Sequence, residues 1–569
     1  MTAQNSIPVP TAPLSRPPTT LADKPENTPD FTLNSKGRSY QHQYASIYFV
    51  RLQRLRKFVQ ARAKQRWKDV AGDPPFVRRM LEIVKGELCY IIGTVYIDMP
   101  LKPNVLEDIA RDRSIPAPPP HPKICSPDDI ITLEDESGRV TLVGERLKSA
   151  QLVTGVVIAA LGMETSGGEF EVIDVCFAGM APQPEMDRSW GDVRNMKKPE
   201  DDSIDVDAVP EATQQEWIAL VSGLDVGAPS SGDAQIQMLV EYLTGEAGDA
   251  SDQAGAARIS RLVIAGSSLS ASAMSNGNDE DDDNKDKKSS WRYGHDPSTF
   301  SPHPALTLSA HLHDLARSMP IHILPGASDP SGTLLPQQPF PRAMFRGAAS
   351  FATFSCETNP TYIRVQPSPS VPLPSPPANS KGKQKAKATP STSSSGSRAP
   401  TRTLLVSSGQ ALDDMYKYLP TPPSSRLSIA ESSLRWRHIA PTAPDTLWCH
   451  PYFDSDPFII AETPDVYVVG NQPAFATQVV EERGWGRRRG KDVNVEGNDE
   501  VSDEDIDEVE VEKGMEGEGG LKRCRVVLVP RFRETGVLVL LNLRTLAVRT
   551  VQFEVEGMSL PDGDVDMES

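Results

Sequence analysis

Cysteine is scarce in this chain and never clustered. Six residues (Cys89, Cys125, Cys176, Cys356, Cys449 and Cys524) stand singly, with no Cys-x-x-Cys pair. That pattern argues against a zinc or iron–sulfur centre and for free thiols buried in a reducing compartment. Aromatic residues make up 6% of the chain. No apolar run approaches the eighteen or so residues of a membrane-spanning helix, and the Pro/Thr-rich start carries no signal-peptide pattern. These absences predict a soluble intracellular protein with no membrane partner. Positive charge is also short: 59 Lys and Arg face 77 Asp and Glu, for a formal net charge of −18. A chain of that sign does not coat nucleic acid on its own.

Proline and glycine are plentiful by contrast, at 51 and 39 of 569 residues. Residues 1–36, 271–300, 366–402, 484–520 and 556–569 read as disordered, which leaves about 400 residues for one small and one large packed domain. Much of the acidic excess sits in runs at 279–283, 500–512 and 562–568, which read as solvated. The alternating lysines at 381–387 read equally as a nuclear-import signal or a basic linker.

Residues 37–85 form a basic helical segment. Tyr44, Tyr48, Leu52, Leu55 and Val59 fall near one helical stripe, and Arg51, Arg54, Lys57, Arg62, Lys64 and Arg66 are placed on the other side. Such a helix either touches nucleic acid or an acidic partner, or docks on its own protein with a solvated face. From 86 to 185 the texture turns β. Strands are expected at 89–97, 129–135, 139–143, 152–161 and 169–177, with a Glu136-Ser137-Gly138 hairpin turn. Five short strands suit a barrel of the oligonucleotide-binding (OB) type. Between 88 and 185 fifteen acidic residues outnumber seven basic ones, and Tyr90, Tyr96, Phe170 and Phe177 are few for a stacking groove. The barrel therefore reads as a protein-binding or packing module.

A hinge at 186–213 leads to a domain over 214–555. Strands are expected at 217–224, 260–267, 321–326, 465–469 and 525–529, helices at 234–244, 303–319 and 410–419, and a closing ladder at 536–555. The fold class is therefore mixed α+β: a small barrel plus a layered α/β domain. Catalytic motifs are missing. The stretch 486–492 is one residue too short for a P-loop and lacks its Ser/Thr. His311 and His313 stand two apart on a helix, so they point apart and read as polar-face residues.

The strand 217–224 runs into a glycine turn, as in calcineurin-like phosphoesterases, which the large domain resembles. On that resemblance the metal ligands sit in loops after successive strands, and here they are degenerate. Gly223 and Asp225 stand at the first motif, and Ser267 replaces the bridging carboxylate of the second. Ala327 and Ser328 replace the amide and imidazole of the third, and Asn471 and Pro473 replace the two histidines of the last. Only His438 is left as a remnant ligand, with Asp225 a poor substitute. The resemblance implies an inactive phosphoesterase domain with no catalytic, metal or cofactor site.

A barrel followed by such a domain resembles the B-subunits of replicative DNA polymerases, above all those of the delta type. The segments that carry this are 43–48 (Gln-Tyr-Ala-Ser-Ile-Tyr), 93–103, 152–155 (Leu-Val-Thr-Gly), 335–339 (Leu-Pro-Gln-Gln-Pro), 408–410, 435–447, 456–458 and 470–475. The resemblance implies a non-catalytic nuclear scaffold without cofactors in DNA replication and repair synthesis. It would hold the C-terminal cysteine-rich domain of the delta catalytic subunit and a third accessory subunit, and would also serve the polymerase zeta catalytic subunit. DNA would be met only weakly or indirectly. Alternatives are a B-subunit of polymerase alpha or epsilon and, remotely, a residual metal-dependent phosphodiesterase.

Overall fold

A computed structural model of the protein describes residues 14–25, 27–33, 42–70, 74–103, 122–183, 216–229, 232–270, 303–367, 401–483 and 520–555. The hinge at 186–213, the acidic runs, the lysines at 381–387, the stretch 486–492 and the tail at 556–569 lie outside the described residues. Strand β1 is Thr20–Leu21 and helix α1 is Ala45–Arg66. Strands β2 (Cys89–Asp98), β3 (Ile130–Glu134), β4 (Arg139–Val143), β5 (Val157–Glu164) and β6 (Phe170–Phe177) close into a barrel in the order β2-β3-β4-β6-β5. Alternation along the strands sets the two faces. Ile91, Val95, Ile158, Ala160 and Phe170 fill the interior, while Tyr90, Ile92, Val157, Ala159 and Leu161 form an outer patch that α1 covers with Leu52, Leu55, Val59 and Ala63.

The barrel departs from the sequence expectation in two places. The strand expected at 152–161 begins only at Val157, because 152–156 turn the chain into the barrel and are apolar through burial, not extension. Gly155, at φ 90°, donates its N–H to Val95 O (2.8 Å) in that turn. Arg51, expected on the solvated side of α1, is fully buried.

The larger part holds two six-stranded sheets. Its strands are β7 (Trp217–Val221), β8 (Ile259–Ala265), β9 (Ile321–Leu324), β10 (Phe354–Cys356), β11 (Thr361–Gln366), β12 (Arg402–Ser407), β13 (Val466–Gln472), β14 (Ala476–Arg483), β15 (Leu521–Pro530), β16 (Val537–Asn542) and β17 (Val548–Gln552). The sheet orders are β10-β9-β8-β7-β16-β17 and β1-β11-β12-β13-β15-β14. Central strands are parallel and buried on both faces, which is why they read as unbroken apolar runs. In β7, Trp217, Ala219 and Val221 face the helices Asp233–Thr244 and His303–Ser318, while Ile218 and Leu220 face the second sheet. In β13, Val466 and Val468 face the first sheet, while Tyr467 and Val469 join the helices Gln410–Tyr418 and Arg426–Trp436. The layers run helix, sheet, sheet, helix, and the outer helical layer shares one apolar cluster with the barrel interior.

The described part of 1–36 departs from its expected disorder. β1 pairs antiparallel with β11, Phe31 is buried and stacks on Tyr362 (5.9 Å), and Arg16 donates to the carbonyls of Ala256 and Ile259. A Pro/Thr-rich lead cannot build a core, yet it can add a strand to an open edge. Likewise Gln366 and Arg402, expected within an insertion, end β11 and begin β12. His311 and His313 are half-buried rather than on an exposed face, with the His313 ring beside Phe351 (5.6 Å). Four cysteines are buried and two half-buried, all as free thiols. Among the described residues no helix is long and apolar enough to cross a membrane.

Candidate functional site

The parallel strands β7, β8 and β9 in one sheet and β12 and β13 in the other end at a common edge, where their loops are stitched together. Carboxyl ends of parallel strands are where α/β folds place ligands. Gly223 N donates to Gly266 O, Asp225 N to Ser267 O and Val226 N to Ser268 O, each at 3.0 Å. Ser222 Oγ accepts from Asn471 N (2.8 Å), tying the two sheets. Asn471 Nδ2 donates to Ala265 O (3.2 Å) and Ser408 O (2.8 Å), while its Oδ1 has no partner among the described residues. Asp225, Ser267 and Asn471 all hold left-handed backbone (φ 41°, 53° and 56°), a conformation that costs a non-glycine residue about 1 kcal/mol or more. At Gly223 (φ 63°) a Cβ would come within 2.9 Å of Arg531 Cα, so the loop admits only glycine.

Asp329 staples this edge from below. Its Oδ1 accepts from Ser268 N (2.9 Å) and Leu269 N (2.8 Å), and its Oδ2 from Gly326 N (2.8 Å). Burial, aided by the nearby Asp225, pushes its carboxyl up to about 6 although the three N–H groups oppose the shift. Burial also raises Asp225, which accepts a hydrogen bond from Ser328 Oγ (3.2 Å). The structure thus brings Gly223, Asp225, Ser267, Ser328 and Asn471 together. Ala327 and Pro473 stand in the same loops but are exposed. Among the described residues no three His, Cys, Asp or Glu side chains are grouped so as to share a metal ion.

Beside the edge lies an amide cluster that the sequence did not single out as a unit. Asn359 Nδ2, with two hydrogens to donate, lies within hydrogen-bond reach of Ser408 Oγ (2.6 Å), Gln410 Oε1 (2.7 Å) and Gln337 Oε1 (2.8 Å), and Gln337 Nε2 donates to Gly326 O (3.0 Å). Two of the segments that carry the resemblance, 335–339 and 408–410, meet in this cluster. Asn359 is its centre, and only the Asn-Pro pair in the short turn between β10 and β11 could have signalled it.

His438 takes no part in the strand-end edge. Its Nε2–H donates to Asp456 Oδ2 (2.9 Å) and its Nδ1 accepts from Ala440 N (3.2 Å), so the ring is held neutral. Burial, then the charge of Arg51, lowers it to about 4. The same Asp456 oxygen accepts from Arg51 Nε (2.8 Å). Arg51 also donates to the carbonyls of Pro441 (2.7 Å), Ala443 (2.9 Å) and Gly155 (3.2 Å). Burial alone would raise the Asp456 carboxyl, yet His438 and Arg51 hold it below the usual carboxylate range. This junction joins α1, the barrel and the helical layer through one buried cation. The residue expected to be a remnant ligand is instead one of its struts. A signal was there: Ile47, Arg51, Leu55, Val59 and Ala63 follow an unbroken four-residue spacing on the buried side of α1.

Comparison with known proteins agrees with this architecture. The family model described as "DNA polymerase delta subunit OB-fold domain" matches residues 43–175, and the model for the B-subunits of DNA polymerases alpha and epsilon matches 218–368 and 366–477. A DNA polymerase delta small subunit from Oryza sativa subsp. japonica is 32% identical over 521 residues, covering 91% of this chain and 95% of the relative. Its counterpart from Arabidopsis thaliana is 33% identical over 90% of this chain and 92% of its own length. DNA polymerase delta subunit 2 of Drosophila melanogaster is 30% identical over 92% and 96% respectively. An OB barrel bolted through a buried arginine to a double-sheet body, at such identity over nearly the whole length, establishes that the chain belongs to the family of DNA polymerase delta small subunits.

Proposed function

We propose that the chain is the non-catalytic scaffold subunit of a nuclear DNA polymerase delta complex that acts in replication and repair synthesis. In this reading residues 86–185 are the OB domain and 214–555 a calcineurin-like phosphoesterase domain that has lost its chemistry. The observation that carries it is the use made of the strand-end residues. A pair of divalent cations needs several carboxylates and imidazoles around a bridging acid. Among the described residues, Asp225 accepts from Ser328 Oγ, Asp329 is engaged by three backbone N–H groups, and Asn471 points its amide at two carbonyls. In this reading the described residues do not fit two metal ions and support no hydrolytic step. What remains is surface, and a scaffold works through interfaces of roughly 1,000 Å² or more. The partners proposed are the C-terminal cysteine-rich domain of the delta catalytic subunit, a third accessory subunit and the polymerase zeta catalytic subunit.

The full chain, co-expressed with the catalytic subunit of each replicative polymerase from the same cell, should co-purify with the delta subunit, as identified by mass. Calorimetry with manganese should show no stoichiometric uptake. Recovery of the alpha or epsilon large subunit instead, or phosphodiester hydrolysis abolished by Asp225→Ala, would overturn the reading.

A further inference from the structure

Residues 14–33 lie on the body as a docked peptide does, gripped at a few points along an extended path. β1 adds two residues to the edge of β11, and both of them, Thr20 and Leu21, are exposed. Two side chains of the lead anchor it. Arg16 donates to Ala256 O (2.6 Å), Ile259 O (2.8 Å) and Leu243 O. Phe31 is buried against Tyr362 (5.9 Å) and Phe458 (6.3 Å). Leu243 and Ala256 stand in the last turns of the helices Asp233–Thr244 and Ala250–Ala256, whose closing carbonyls have no partner further along the helix. Carbonyls that converge there suit a cation. Burial lowers Arg16 only to about 10, so it docks charged.

Between these anchors the body reaches for the main chain of the lead. Arg261 Nη2 donates to Thr19 O and lies as near its Oγ1 (both 3.2 Å), and Arg364 donates to Asp23 O. Gln338 Nε2 donates to Phe31 O (3.0 Å), and its Oε1 accepts from Leu33 N (2.8 Å). Two of these three side chains are also fixed from within the body. Arg261 Nη1 donates to His322 Nε2 (2.7 Å), whose Nδ1–H donates to Glu357 Oε1 (2.8 Å). Gln338 Nε2 also donates to Pro336 O (3.1 Å). The seat is therefore aimed before anything occupies it, which lowers the ordering cost of binding. A sheet edge that takes main chain, with pockets for a few side chains, is how folds recognise linear segments.

We propose that this track, from the Leu243, Ala256 and Ile259 carbonyls to the Tyr362–Phe458 cleft, is a binding site for an extended segment of another protein. That segment carries an arginine and, fifteen residues on, an aromatic, the spacing of Arg16 and Phe31. The chain's own lead fills the track in cis until such a segment displaces it. Tethering holds the lead at an effective concentration of about millimolar, so a rival segment wins only when a second contact tethers it too. The proposal does not depend on the scaffold reading.

The test keeps the full chain and sets a protease site within residues 34–41, so that the lead is cut loose only after folding. The cut chain should take up a fluorescent peptide of residues 14–33, read by anisotropy. The uncut chain should bind it at least about tenfold more weakly, because the tethered lead competes. Arg16→Ala in the peptide should weaken uptake by about tenfold or more, through loss of charge-assisted bonds. Gln338→Ala in the cut chain should weaken it by about fivefold, as for one or two neutral hydrogen bonds. A peptide with Leu14→Ser and Leu21→Ser, both exposed positions, should bind within about threefold of the parent peptide. No uptake by the cut chain, equal uptake by cut and uncut chains, or uptake indifferent to Arg16→Ala or to Gln338→Ala would each overturn the proposal. Loss of binding by the serine-bearing peptide would tie the track to the chain's own lead and overturn the assignment to another protein's segment.

Discussion

A single guanidinium, Arg51, decides how three parts of the molecule meet. Its five N–H donors suit the task, since one fork serves a carboxylate and three carbonyls at once. Truncating it leaves Asp456 charged and buried and strands the carbonyls of Gly155, Pro441 and Ala443. Breaking a buried pair from one side typically costs about 3–5 kcal/mol, so Arg51→Ala should lower the stability to chemical denaturation by that amount. Asp456→Ala should cost a similar amount, because the arginine is then the orphan. The double variant should be less damaging than the sum, with a coupling of about 1–3 kcal/mol in a double-mutant cycle. Simple additivity would show that the two side chains do not act as a pair.

At the scale of elements, the N-terminal strand protects an edge. β1 is only two residues long, yet it caps β11, whose outer backbone groups would otherwise face solvent. Phe31 anchors the segment against Tyr362 and Phe458. Phe31→Ala should cost about 3–5 kcal/mol, as for other buried aromatics. Deleting residues 1–33 should in addition promote self-association, read by light scattering at rising protein concentration. A deletion that stays as monodisperse and as stable as the parent would remove the capping role. Composition alone reads this lead as linker. Its two anchoring features, a lone Phe31 and a Thr-Leu pair among prolines, are too sparse to register as a periodic pattern.

At the scale of the whole molecule, barrel and sheets touch where no side chain fits. A Cβ on Gly155 would collide with the Pro441 carbonyl oxygen and lie 2.6 Å from Arg51 Nη1, and the backbone is left-handed there (φ 90°). Gly155→Ala should therefore cost about 2–4 kcal/mol, from overpacking and backbone strain together. Because the clash lies between parts rather than within one, amide exchange should rise at the seam around 152–158 and 437–443 before it rises in β8 or β13. Uniform acceleration across the chain would show that the seam is no separate unit. Arg437 crosses the same boundary, donating to Gly179 O (2.8 Å) and Met180 O (3.0 Å) with its guanidinium over the Phe58 ring.

The barrel strands and β7, β8, β9, β13, β15 and β16 were legible in the chain itself, whereas β10, β11, β12, β14 and the helix Arg426–Trp436 were not expected. Parallel strands buried on both faces must be apolar runs, and barrel strands with one inner face must alternate, so both patterns are local and survive in one dimension. The glycine-ended strand tips were visible for the same reason. What the tertiary structure decided were the pairings. Arg51 looked like one more surface cation because its partner lies 405 residues away. His438 looked like a ligand until Asp456 claimed its ring, and Asn359 had no meaning until Gln337, Ser408 and Gln410 closed around it. Periodicity records whether a position is wet or dry, whereas the identity of the group that meets a buried charge depends on contacts that chain distance does not encode.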